Sequence, residues 1–372
     1  MSSTEKDLEL KLRTMRYLWN LGYFVRRNVD LVENVYEKSR VYSDIDVLGI
    51  KLDESLNSHF IVCDCKSGIR VKTAERLFWL SGVMSYFDSR EGLFIRDQMM
   101  STKYAELSKR LKIVPISSAQ LSDLERLYRI PKRFYGPFCE EQDLIDYVFS
   151  ELKKHDRSVH DYVLKGYWKD PPQQQITTLM TSCQRVTNNK DLEDYQRMFA
   201  LAYALSCLSL SILRLSRSIL RIPERQKETM VKQELLGGTT SLSEREKLLE
   251  GFYNFMTGEI IERYKQKYPV TKREFLESLI PKYSKYFVDL TIRICQDPAS
   301  AIQIPRILDL FAFESVINKR KTTLDDVVAK TRKGFSLKPI KDFLVFADRS
   351  GIITESFQQL SKEYVDYLED NG

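Results

Sequence analysis

Asp46, Asp64 and Lys66 are the residues whose types and spacing best suit chemistry, because carboxylates and an ammonium interrupt runs that are otherwise apolar. Both runs, residues 43–50 and 59–68, read as short β-strands. The polar stretch between them, with Asp53, Glu54, Ser55, Asn57 and Ser58, has turn chemistry and predicts a hairpin. Strand side chains alternate faces, so Asp44 and Asp46 share one face while Ile45 and Val47 share the other. In the second strand Val62, Asp64 and Lys66 point one way, and Ile61, Cys63 and Cys65 the other. Ionisable groups therefore collect at one end of one face. Burying them unpaired is costly, and a hard divalent cation is the simplest compensation. A salt-bridged strand pair with no catalytic role is the competing explanation.

These strands need elements around them. Leu8, Leu12, Met15 and Trp19 recur at helical spacing and predict a helix over 5–21, with Thr4 as its N-cap. Glu5 and Glu9 lie four apart on a neighbouring face, close to Arg13 and Arg16 in sequence. Gly22 closes this helix, and 23–35 follows as a strand. Arg70, Lys72 and Thr73 lead into a second helix, 73–88, with Ala74, Leu77, Phe78, Leu80 and Met84 available to the sheet. A strand at 91–95, a helix at 103–111, a strand at 112–116 and a helix at 121–128 complete the unit. The order is α-β-β-β-α-β-α-β-α.

Asp46 in one strand, a second strand ending Asp64-Cys65-Lys66, the opening helix with its Gly22-Tyr23 exit, and the run Glu75–Gly82 together resemble the PD-(D/E)XK, or restriction-endonuclease-like, nuclease superfamily in its Mrr-like branch. Ser-Asp-Ile-Asp stands where the family name has its proline. The resemblance covers residues 1–133 and implies a mixed-sheet α/β core. It implies a Mg²⁺-dependent endonuclease, with Mn²⁺ as a substitute, that hydrolyses phosphodiester bonds in DNA. Restriction, phage defence, repair and transposition all fit such an activity. In that reading Asp46, Asp64, the Cys65 carbonyl and Glu9 hold metal, and Arg70 and Lys72 contact nucleic acid. Lys66 orients the attacking water or offsets developing charge; beside two carboxylates it stays protonated, which favours the second role. The alternative is a nucleic-acid-binding or assembly subunit that uses an inert nuclease fold.

The 372-residue chain is 43% hydrophobic and 30% charged, with a net charge of +6, which permits binding to a polyanion without requiring it. Residues 101–133 carry eight Lys or Arg against three acids, either a solvated helix face or a surface that tracks phosphates. The six cysteines have no C-x-x-C spacing, and the amino terminus lacks an apolar signal core, which predicts a reducing, cytoplasmic setting. No Walker motif occurs, so nucleotide hydrolysis would have to come from an ATPase or translocase partner; a homo-oligomer is the other assembly foreseen.

From residue 134 helical periodicity dominates, which predicts a helical domain over 134–298 with breaks at Pro171-Pro172, Pro223 and Gly237-Gly238. Met198–Leu213 carries no charge, but its length and serines favour a helix buried in a bundle or a dimer interface over a membrane span. Residues 299–372 suggest three helices at 302–316, 323–330 and 336–350 followed by a turn. That spacing is similar to a winged helix-turn-helix module, which would turn Lys338 and Lys341 towards nucleic acid. Many three-helix units share the pattern without touching DNA.

Overall fold

The structure, a computed structural model, describes residues 3–35, 38–68, 72–235, 239–265, 271, 274, 281–327 and 335–371. The amino-terminal third has the element order read from the sequence. Helix α1 (Ser3–Asn20) is followed by β1 (Phe24–Val35), β2 (Lys38–Leu52) and β3 (Ser58–Lys66). Then come α2 (Thr73–Tyr86), β4 (Glu91–Arg96), α3 (Thr102–Arg110), β5 (Ile113–Ser117) and α4 (Ser118–Leu127). The strands form one mixed sheet in the order β1-β2-β3-β4-β5. β1, β2 and β3 are antiparallel neighbours, whereas β3, β4 and β5 run parallel. The hairpin between β2 and β3 is closed by Asp53, whose carboxylate accepts from the Ser55 and Asn57 backbone N–H groups, each at 2.9 Å.

Side-chain alternation holds through β3, where Val62 packs under α2 and Cys63 and Cys65 join the larger cluster on the other side. It is interrupted in β2. Ile45 joins Leu48 and Val62 in the cluster under α2, and Val47 joins Cys63 and Cys65, so the pair expected on one face is split. The interruption coincides with Asn28, which sits between the Arg27–Val47 and Val29–Ile45 pairs and has φ +51, away from extended backbone. Two smaller expectations also change. Thr4 lies inside α1 rather than capping it. Phe78 turns outward and is 60% exposed, because Leu77, Leu80, Val83 and Met84 already fill the face of α2 against the sheet.

The remaining chain is helical: α5 (Gln142–His155), α6 (Arg157–Leu164), α7 (Pro172–Asn188), α8 (Asp194–Ile219), α9 (Glu224–Leu235), α10 (Thr239–Tyr264), α11 (Ser284–Gln296), α12 (Pro298–Ala301), α13 (Ile304–Leu310), α14 (Lys338–Arg349) and α15 (Glu355–Asp370). The prolines at 171–172 and 223 fall at the starts of α7 and α9, where the missing N–H costs nothing. Gly237 and Gly238 lie outside the described residues. Helix α8 is long and apolar enough to cross a membrane, yet its apolar stretch is buried within the protein. Its buried serines are satisfied inside the helix, Ser206, Ser209 and Ser216 donating to the carbonyls of Tyr203, Ser206 and Ile212.

The carboxy-terminal stretch departs from a winged module. Helix α13 runs on as a wide π-turn over Phe311–Ile317, and the expected middle helix is a short turn at Leu324–Asp326. Residues 328–330 lie outside the described ones. Where a β-wing would follow α14, Thr354 caps α15 instead, its hydroxyl accepting from the Phe357 N–H at 3.2 Å.

The packing crosses residue 133. One apolar cluster runs from Leu10 in α1 to Leu368 in α15. Polar contacts cross it too. Trp19 donates from Nε1 to the Asp326 carbonyl at 2.8 Å, and Arg306 donates to the Trp19 carbonyl at 2.8 Å. Arg26 of β1 forks onto Asp309 of α13 at 2.7 and 2.9 Å, with both side chains buried.

Candidate active site

The middle of β2 and the carboxyl end of β3 bring Asp46, Asp64 and Lys66 together, as their spacing predicts, and α1 and α2 add Lys11 and Arg76. Asp46 and Asp64 are 1% and 0% exposed, so their partners decide their state. The Asp46 Oδ1 lies 2.7 Å from the Lys11 ammonium. Its Oδ2 accepts from the Cys65 backbone N–H at 2.8 Å and from Lys66 Nζ at 3.0 Å. Asp64 accepts from Arg76 through both oxygens, at 2.8 Å from Nε and 2.5 Å from Nη2. Lys66 is also 3.6 Å from Asp64 Oδ1, which places one ammonium between the two carboxylates.

Burial raises both acids, but their neighbours separate them. For Asp46, Lys11, a hydrogen bond with Asp64 and Lys66 outweigh burial and hold the carboxyl below its ordinary value. For Asp64, burial prevails over the Arg76 fork, and the adjoining Asp46 charge adds to the rise. A proton entering the pair therefore goes to Asp64. Lys66 is partly desolvated, yet Asp46 and Asp64 more than offset that and keep it an ammonium.

Helix α1 reaches this cluster with a different face from the one read in the sequence. Asp7, Lys11 and Thr14 stand one above another at i, i+4 and i+7. Asp7 accepts from the Ser67 backbone N–H at 2.7 Å, and Thr14 accepts from the Cys65 thiol at 3.5 Å. Glu9 is exposed, and two residues from either Asp7 or Lys11 amount to about 200° around the helix axis. The helix thus presents Asp7 and Lys11 to the motif and turns Glu9 away. Lys11 also donates to Asn28 Oδ1 at 2.8 Å, which ties the irregular point of β1 to Asp46.

The other foreseen residues divide. Cys65 contributes its backbone N–H to Asp46, and burial pushes its thiol far up, so it is no thiolate ligand. Lys72 is exposed and 3.1 Å from Glu75. Arg70 lies outside the described residues. Lys338 and Lys341 stand on α14 in ion pairs with Asp342 at 3.0 Å and Glu369 at 2.7 Å. Asp44 is exposed, near enough to Arg76 to help hold its charge.

Arg76 and Arg96 are cations that the sequence reading passed over. Arg76 stacks 4.1 Å above Trp79 in the first turns of α2, a placement set by how that helix lies on β3. Arg96 is in register with Lys66 and Ser117 across the carboxyl ends of the parallel strands, the edge of an open α/β sheet where ligands commonly bind. It donates to Thr73 Oγ1 at 3.1 Å.

Among the described residues no three His, Cys, Asp or Glu side chains converge as a metal cage. Mg²⁺ does not need one, since it is usually held by one or two carboxylates together with waters and substrate phosphate. Asp46 and Asp64, both within reach of Lys66, fit that donor set in chemistry. Their oxygens are engaged by Lys11, Lys66 and Arg76, so a metal would have to exchange with those cations. Comparison with protein families, with curated proteins and with solved structures gave no match.

Proposed function

We propose that the chain is a metal-dependent phosphodiesterase of the restriction-endonuclease-like kind, acting on DNA. The observation that supports this most is the pair of buried carboxylates, Asp46 and Asp64, with the Lys66 ammonium within 3.0 and 3.6 Å of them at the carboxyl end of the central strand β3. Asp46, Asp64 and the Cys65 carbonyl would hold Mg²⁺, with Mn²⁺ as a substitute. Once bound, the ion supplies a water of lowered pKa and positive charge for the phosphorane-like transition state. Lys66 offsets charge that develops on the phosphate. Arg76 and Arg96 draw the phosphate to the sheet edge.

A second reading has its own observation: three cations, Lys11, Lys66 and Arg76, already balance two carboxylates, which suits a nucleic-acid-binding subunit with an inert nuclease fold. Nicking of supercoiled plasmid in Mg²⁺, in Mn²⁺ and in EDTA separates the two, with wild type, Asp64→Ala and Lys66→Ala side by side. Nuclease function requires cleavage that EDTA abolishes and that both substitutions lower by about 100-fold or more. Under the inert reading the wild type binds DNA without cutting it, and Asp64→Ala binds equally well.

A further inference from the structure

Away from the carboxylate pair, a cavity of about 400 Å³ opens between β1 and the helices α5 and α6, with Trp168 at its side. That volume is in the range of small-molecule sites and suits one nucleotide, not a duplex. Its lining is divided by chemistry. Phe149, Trp168, Tyr203 and Phe313 form an aromatic wall, and Arg27, Lys153 and Lys165 supply cations. Two of these cations are balanced, Arg27 by Asp146 at 2.8 Å and Lys165 by Asp30 at 3.2 Å. Lys153 is exposed and has no carboxylate partner among the described residues.

We propose that this cavity binds a nucleotide, its base against Phe149 and Trp168 and its phosphate at Lys153 with Arg27 and Lys165. The aromatic faces favour a planar ring, because every base has a π-face on which to stack. Lys153 is the cation left for the phosphate, and Arg27 and Lys165 reach it by exchange from Asp146 and Asp30. His160 extends the recognition. It is 8% exposed, and its Nδ1 lies 2.9 Å from Asp161 Oδ1. Burial holds its pKa down, and Lys153 and Lys165 lower it further. It is therefore neutral near pH 7, and with Nδ1–H directed at Asp161 its Nε2 is an acceptor for an exocyclic amine.

The same chemistry could arrive as a free nucleotide or as the phosphorylated end of a strand. The full chain is titrated with AMP, GMP, CMP and UMP, with adenosine, with inorganic phosphate and with a 5′-phosphorylated oligonucleotide, followed by calorimetry and tryptophan fluorescence. Lys153→Ala, Lys153→Glu and Asp64→Ala are titrated in parallel, with Tm as the check on folding. The proposal expects saturable binding of at least one mononucleotide or of the oligonucleotide, with adenosine and phosphate alone at least tenfold weaker. Lys153→Ala raises Kd about tenfold at unchanged Tm, and Lys153→Glu raises it more. Preference for the mononucleotide assigns a free ligand; preference for the oligonucleotide assigns a strand end. No saturable binding of either at millimolar concentration overturns the proposal. So does binding that survives both Lys153 substitutions and disappears in Asp64→Ala, which would put the ligand at the carboxylates. Because the readout is binding and not cleavage, its failure leaves the nuclease reading standing, and the reverse holds too.

Discussion

Glu125 shows how a single carboxylate can fasten one helix to another. It accepts from Arg13 Nη2 at 2.8 Å and Arg16 Nη2 at 2.6 Å, and so joins α4 to α1. Burial raises its pKa, but the two guanidinium groups outweigh that and hold it below the usual carboxylate range. A carboxyl depressed in the folded state stabilises above its unfolded pKa and loses that contribution as pH falls through the folded one. Glu125→Gln should therefore be less stable than wild type at pH 7, and the difference should shrink below about pH 4. Urea titrations at both pH values measure it. The sequence displayed Arg13, Arg16 and Glu125 only as surface charges. The same blindness applies at the site: Asp46, Asp64 and Lys66 were legible because a hairpin fixes their spacing, whereas Lys11 and Arg76 join them through helix packing. Asp7 and Lys11 did carry a signal, their four-residue spacing on one helical face.

Among the elements, β2 is tightly packed at Gly49. A Cβ at Gly49 would come within 2.8 Å of Ile61 Cγ2, 3.1 Å of Tyr23 and 3.3 Å of Leu18, none of which has room to yield cheaply. Gly49→Ala should cost about 1–3 kcal/mol, read from the denaturation midpoint at unchanged m-value. Gly92→Ala makes the contrast, since its close contact is the flexible Met84 thioether at 2.7 Å. Element order in the first third followed from turn chemistry and from periods of 2 and 3.6. The split of Ile45 from Val47 did not, because it depends on the left-handed backbone at Asn28 in the neighbouring strand. Helix α15 was legible and was passed over: Phe357, Tyr364, Val365 and Leu368 are buried on one helical stripe. The sequence reading ended at the turn of residues 351–354 and assigned nothing to the residues after it.

For the whole molecule, the decisive contacts join β1 to α13. Removing one partner of the buried Arg26–Asp309 pair leaves a charge without compensation, at a cost of about 3–5 kcal/mol. Asp309→Asn should lower stability by that order, and sheet and helices should lose structure together, in one transition seen alike by tryptophan fluorescence and far-UV circular dichroism. Periodicity foretold a helical remainder. It could not reveal that the remainder shares its core with the sheet, since nothing local marks which apolar stripe meets which.

That shared core sets a clock on the birth of the protein. Arg26 and Asp309 are 283 positions apart, and ribosomes add about 5–20 residues per second, so β1 waits roughly 15–60 seconds for its counter-charge. Over that interval Arg26 stays hydrated and the apolar face that the sheet shares with the later helices stays uncovered at the exit tunnel.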